Sequence, residues 1–137
     1  SGDERDKDVA NAIRYAVDNG AKVINMSFGK SFSPQPELVR AAVEYARSKD
    51  VLIVHAAGND AQNIDKNNNF PQPFDAQGKR YEHWIEVGAS SYQFGKNITA
   101  EFSNYGPKSV DVFAPGHLIY ATMPGNQYDF NSGTSMA

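Results

Sequence analysis

Two short stretches carry residue types that could do chemistry together. The first is Asn131-Ser132-Gly133-Thr134-Ser135-Met136-Ala137. A glycine two positions ahead of a serine lets the chain turn sharply and lets another molecule approach the backbone. If a helix starts at Ser135, its free amide groups point at whatever the hydroxyl attacks, which favours a developing oxyanion. A Gly/Ser/Thr cluster on its own is most often an ordinary loop, so the second stretch matters. Asn59 lies in Ala56-Ala57-Gly58-Asn59-Asp60, at the end of an apolar run. Its amide NH₂ is a neutral donor, suited to stabilising an oxyanion without competing as a nucleophile. Alone, it reads as readily as a turn asparagine after glycine.

The elements that must position these residues follow from hydrophobic periodicity. Residues 8–19 place Val9, Ala10, Ile13, Ala16 and Val17 on one helical stripe, with Gly20 at the C-cap. "AKVINMSF" follows as a short apolar run with β-branched Val23 and Ile24, predicting a buried strand. After a Gly-, Ser- and Pro-containing loop, residues 37–49 repeat the helical pattern with Leu38, Val39, Ala42, Val43 and Ala46. "VLIVHAAG" is a second apolar strand. Helix, strand, helix, strand at this spacing predicts parallel βαβ units. In such sheets functional residues collect at the carboxyl ends of strands, here Ser27-Phe28-Gly29 and Gly58-Asn59-Asp60.

Residues 59–81 are polar and lack periodicity, predicting a long surface excursion. "HWIEVGASS" reads as a third strand, and "TAEFSNYG" and "VDVFAPG" as two short extended pieces. "LIYATMPG" and "QYDFNSG" resemble the arms of a hairpin turning near Pro124-Gly125. No repeat or linker divides the chain.

Composition narrows the function classes. The 137 residues suit one domain, with 40% hydrophobic and 21% charged residues, a globular balance. A formal charge of −3 offers no electrostatic footprint for nucleic acid. No apolar stretch approaches the ~20 residues that span a membrane. The chain has no cysteine, which excludes disulfides, thiolate metal sites and a cysteine nucleophile.

"VINMSFG", "VLIVHAAGND", "FSNYGPKSVDVFAPG" and "NSGTSMA" occur in the order seen in subtilisin-like serine proteases, and the chain resembles that family over residues 8–137. The resemblance implies an α/β, three-layer fold with a mainly parallel central sheet, present here in part. It implies that Ser135 is the nucleophile of a Ser-His-Asp triad, and that Asn59 and the Ser135 N–H form the oxyanion hole. Ser27, Phe28 and Gly29 match the segment that pairs with an extended substrate backbone. Ala56, Ala57 and Gly58 match the opposite wall, where small residues leave room for a large substrate side chain. Asp60 at the rim would attract a basic one, although an exposed loop aspartate usually does nothing.

The family's histidine lies in a His-Gly-Thr context upstream of these motifs, and no such context occurs here. His55, His83 and His117 stand in other settings, and Asp3, Asp6 and Asp8 lack the strand context of the family's aspartate. The resemblance therefore implies a partial catalytic domain over residues 1–137, without the part that carries Asp and His and without the helix after the nucleophile. As part of the longer protein it would be a serine endopeptidase acting on polypeptides. On its own it would be inactive and prone to self-association through uncovered sheet surface. The rival expectation is a non-catalytic, subtilase-like domain that binds peptides along residues 27–29. An unrelated α/β hydrolase would want a Gly-x-Ser-x-Gly elbow, which is absent.

The family often binds calcium, so the resemblance allows a structural calcium ion in the full-length protein. The oxygen-rich stretch "GNDAQNIDKNNNF" fits no calcium-loop template and reads as a solvated loop. A secreted or cell-envelope location is expected for the full-length precursor. Asn25-Met26-Ser27 and Asn97-Ile98-Thr99 are formal glycosylation sequons, the first in a strand entering the site and expected to be unmodified.

Overall fold

The computed structural model describes residues 4–92 and 98–137. Asp3 and the sequon residue Asn97 lie outside the described residues. Helix α1, Asp6–Asp18, buries Val9, Ala10, Ile13 and Val17 on one face and carries Asp6 and Asp8 in its first turn, where carboxylates complement the helix dipole. It ends with Gly20 at φ 85°, Gly20 N–H bonded to Val17 O and Ala21 N–H to Ala16 O. That pair of bonds satisfies carbonyls the helix leaves open. Helix α2, Pro36–Ser48, has proline in its first turn and ends the same way, with Asp50 at φ 56° in the glycine's place. The buried face of α2 is Val39, Ala42, Val43 and Ala46, while Leu38 is exposed. Leu38 is one residue, about 100° of helix rotation, off the Val39–Val43–Ala46 stripe.

Four parallel strands form one sheet in the order β1-β2-β3-β4: Val23–Met26, Leu52–Ala56, Trp84–Ser90 and Val112–Pro115. The helices pack on each other and, with Met26, Ile53, Trp84 and Tyr81, close one core. β1 is an edge strand in this chain, so only Met26 of its four residues is buried and Val23 is exposed, contrary to the buried strand expected there. β4 forms the other edge and exposes Val112 and Phe113. Its pairing with β3 depends on Gly88, because a Cβ there would stand 2.3 Å from the Phe113 ring.

"TAEFSNYG" forms no strand. It runs through turns with isolated bridges at Thr99 and Tyr105. The hairpin is present as antiparallel β5, Ile119–Met123, and β6, Gln127–Asn131. The long excursion between β2 and β3 returns to the sheet edge, where Lys30 and Phe70 exchange both backbone hydrogen bonds.

Candidate functional site

The site gathers where β1, β2 and the hairpin end. The turn Gly133–Met136 is closed by Met136 N–H on Gly133 O, and no helix begins at Ser135 among the described residues. The turn is tethered to the sheet by Gly133 N–H on Gly116 O at 2.8 Å. Gly116 must be glycine for this, since a Cβ there would lie 2.7 Å from Gly133 O and from Ala89 Cβ.

Thr134, 3% exposed, links the Gly133–Ser135 stretch to the Gly58-Asn59 stretch. Its N–H donates to Asn59 Oδ1 at 2.8 Å and its hydroxyl donates to the same oxygen at 3.1 Å. The Thr134 hydroxyl oxygen also accepts Gly58 N–H at 3.1 Å. Two donors on one atom fix which end of the Asn59 amide is oxygen. Nδ2 is thereby the end that Thr134 does not hold; it stands 3.7 Å from where a Cβ on Gly133 would be, and Asn59 lines the same cleft as Ser135.

Ser135 faces β1. Its hydroxyl donates to Ser27 O at 2.8 Å, and the Ser27 hydroxyl donates to Ser135 O at 3.1 Å. Asn25 Nδ2 donates to Ser27 Oγ at 2.9 Å, which occupies the side chain of that sequon. A cleft of about 320 Å³ lies between these segments. Ser27, Phe28 and Gly29 line one side, and Ala56, Gly58 and Asn59 the other, with Thr134 and Ser135 adjoining. Ala57 does not line it: the residue is fully buried behind the wall, its carbonyl taken by Asn69 and Asn104.

Asn69, in the polar excursion, joins the two sides. Its Nδ2 donates to Ala57 O at 3.0 Å and to Ala56 O at 3.3 Å. Its Oδ1 stands 2.8 Å from where a Cβ on Gly29 would be, so glycine is needed there for the close approach.

The loop that follows the Ser27–Gly29 side is pinned by charge. Asp6, 4% exposed, accepts from Ser33 Oγ–H and Gln35 N–H, each at 2.8 Å, and pairs with Lys30 Nζ at 2.8 Å. Burial alone would raise this carboxyl. The Lys30, Gln35 and Ser33 donors outweigh burial and hold it below the ordinary carboxylate range.

Each histidine is engaged elsewhere. His55 is buried in β2 with Nδ1 2.9 and 3.0 Å from the Glu86 carboxylate oxygens, and Trp84 Nε1–H donates to Glu86 at 2.6 Å. His83 Nε2 meets Asp50 at 3.0 Å, and His117 packs between the Tyr92 and Phe102 rings. Asp6 and Asp8 lie in α1, not on a strand. Among the described residues no group of three or more His, Cys, Asp or Glu side chains converges as a metal cage would. Among them, too, no helix is long and apolar enough to cross a membrane.

Sequence reasoning missed Thr134, Asn69 and Asn104 as site supports. The local hints were their neighbourhoods: Thr134 stands between Gly133 and Ser135, Asn69 precedes Phe70-Pro71, and Asn104 lies in the quoted FSNYG stretch.

A parallel sheet with helices packed against it, and a serine and an asparagine lining one cleft beside the carboxyl ends of β1 and β2, defines an open-sheet α/β protein with its site at the strand termini. The chain belongs to the subtilase family, whose profile matches residues 1–137. It is 43% identical over 130 residues to the thermophilic serine proteinase of Bacillus sp. (strain AK1), covering 95% of this chain and 28% of that protein. Thermitase of Thermoactinomyces vulgaris is 40% identical over 129 residues, covering 94% of this chain and 40% of thermitase. The solved structure of the S41 psychrophilic protease superposes with a TM-score of 0.79 at 30% identity, covering 100% of this chain and 47% of that one. The chain thus spans less than half the length of these relatives, and the subtilisin-like α/β fold expected from its motifs is the one found.

Proposed function

We propose that the chain forms the nucleophile and oxyanion half of a serine endopeptidase site. Ser135 Oγ attacks the carbonyl carbon of a peptide bond as its proton passes to a base. The oxyanion takes hydrogen bonds from Asn59 Nδ2 and the Ser135 N–H. The amine leaves with that proton, and water then cleaves the acyl-serine. The observation that supports this reading is the double donation of Thr134 to Asn59 Oδ1, which leaves the amide's NH₂ end free of Thr134 in a residue that lines the same cleft as Ser135. Preorganised donors of this kind need no rearrangement when charge develops.

Ser27, Phe28 and Gly29 offer an extended edge for substrate backbone, and Ala56 and Gly58 form the facing wall. Ala57 contributes by holding that wall through its carbonyl.

None of this chain's histidines lines the cleft that holds Ser135, so the base is taken to come from the rest of the full-length protein. The Ser135 hydroxyl is spent on Ser27 O and is not activated. The chain alone is therefore inactive, and activity belongs to the full-length protein, for which we infer a secreted or cell-envelope location from the family resemblance. Exposed Val23 and Val112 on the sheet edges, and Tyr120, Tyr128 and Phe130 on the hairpin, favour self-association of the isolated chain.

Fluorophosphonate labelling of this chain beside the full-length protein, with the adduct mapped by mass spectrometry, tests the reading. Labelling of Ser135 in the full-length protein alone is expected. A folded full-length protein that takes no label would favour the non-catalytic, peptide-binding alternative. Labelling of the isolated chain would mean that one of its own histidines serves as base.

A further inference from the structure

The Phe102-Ser103-Asn104-Tyr105-Gly106 stretch has no part in the chemistry above, yet its asparagine is 2% exposed and bonded at every turn to the segment that carries Asn59. Asn104 Nδ2 donates to Ala57 O at 2.8 Å. Its Oδ1 accepts Asp60 N–H at 3.1 Å and Gln62 N–H at 2.9 Å. Its own N–H donates to Gly58 O at 2.9 Å. The four bonds bracket Asn59 on both sides in sequence, and Asn104 does not line the cleft.

The fit is close. A Cβ on Gly58, whose φ is 98°, would stand 2.4 Å from Asn104 Nδ2. Asn104 is itself anchored, because Ser103 Oγ accepts Ala89 N–H from β3 at 2.9 Å and donates to Asn104 O at 2.9 Å. A continuous hydrogen-bonded path therefore runs from the sheet through Ser103 and Asn104 to the turn that presents Asn59. Thr134 fixes the far end of the Asn59 side chain, but nothing in Thr134 fixes the turn beyond Gly58.

We propose that Asn104 is a positioning residue for Asn59, setting the backbone turn from which the oxyanion donor reaches. This deepens the oxyanion reading and rests on it. A displacement near 1 Å in a catalytic group can cost about 10²-fold in rate, whereas substrate held by the opposite edge is unaffected. Loss of Asn104 thus falls on kcat and leaves KM nearly alone.

A double-mutant cycle in the full-length protein separates this role from a purely structural one. Asn104→Ala is expected to lower kcat by about 10-fold or more, with KM within about 2-fold. In an Asn59→Ala background the same substitution is expected to cost less than about 2-fold, because the group it positions is gone. An equal loss in both backgrounds, or a loss confined to KM, overturns the proposal and leaves the oxyanion reading standing. An unchanged kcat in Asn59→Ala alone overturns both. Should Asn104→Ala not fold, the cycle is run with Asn104→Asp, which keeps the acceptor for Asp60 and Gln62 and loses the donor to Ala57. The same two patterns decide.

Discussion

The two sides of the cleft are built by different physics. The Ser27–Gly29 side is followed by a loop pinned through a buried carboxylate, with Asp6 receiving Lys30, Ser33 and Gln35. The Gly58–Asn59 side is held by neutral groups alone, the amides of Asn69 and Asn104 and the hydroxyl of Thr134. A charged anchor is strong but depends on its protonation state. Neutral amides are indifferent to pH, and their two-ended donor and acceptor pattern fixes orientation as well as place. Under the function proposed above, the side that would aim a donor uses amides, while the side that would offer backbone to an extended chain is followed by a loop set on an ion pair.

Short of removing Asn59 or its positioning residue Asn104, the largest effect expected from breaking the neutral side is at Thr134. Thr134→Val keeps the shape and removes the hydroxyl, so Asn59 Oδ1 loses one of its two donors and Gly58 N–H loses its acceptor. In a subtilisin, loss of an oxyanion donor outright costs about 10²–10³ in turnover, a magnitude measured on that relative. A donor left in place but less firmly aimed should lose about 10-fold in kcat. The effect should be the same at pH 6 and pH 9 once normalised to the parent, because no ionisable group was touched. A Thr134→Val effect that grows towards one end of that range would contradict the neutral character of this side.

The charged side should break differently. Asp6 has its folded pKa depressed, so the stability it contributes is present above the unfolded value and is lost as pH falls through the folded one. Asp6→Asn is expected to cost about 1–3 kcal/mol at neutral pH, the scale of hydrogen bonds to a buried charged group. Below about pH 4, where the unfolded carboxyl protonates, the gap between parent and variant should narrow. Urea unfolding of both proteins from neutral to acid pH measures it. A gap that stays constant down to pH 2 would show that the charge is not what anchors the 29–35 loop.

Much of this was legible in the sequence, and what was hidden has a common cause. The strand ends and the Gly133–Ser135 turn announce themselves because apolar runs stop abruptly at glycine and small polar residues. Both helices were found with their stripes, apart from exposed Leu38 and half-buried Ala16. Val23 was misjudged because an apolar run does not say whether a strand has one neighbour or two. Asn69 stands in a polar stretch where no periodicity operates, and Asn104 stands inside the quoted FSNYG stretch, where its residue type alone does not mark it as a support. Their value comes from partners 12 to 47 residues away, pairings that no local pattern encodes. Thr134 lay inside a recognised motif, yet its partner Asn59 is 75 residues distant, so the motif marked the place without revealing the bond.

Asn69 belongs to both sides, and the smallest expected effect sharpens the comparison there. Its Nδ2 serves the Ala56 and Ala57 carbonyls while its Oδ1 closes against Gly29. Asn69→Ala removes both contacts but leaves Ala57 O with its bond from Asn104. The wall therefore keeps its place, and the space beside Gly29 enlarges by the missing amide. In the full-length protein kcat should be nearly unchanged for a small substrate side chain. The ratio of kcat/KM for a bulky against a small side chain should rise about 3- to 10-fold, within the range a few added or removed heavy atoms in a pocket can supply. If kcat falls for every substrate alike, Asn69 is holding Asn59 and not shaping the space, and the neutral network reaches across the cleft to the charged side. If neither parameter moves, the cleft between the two walls is not where the substrate side chain sits.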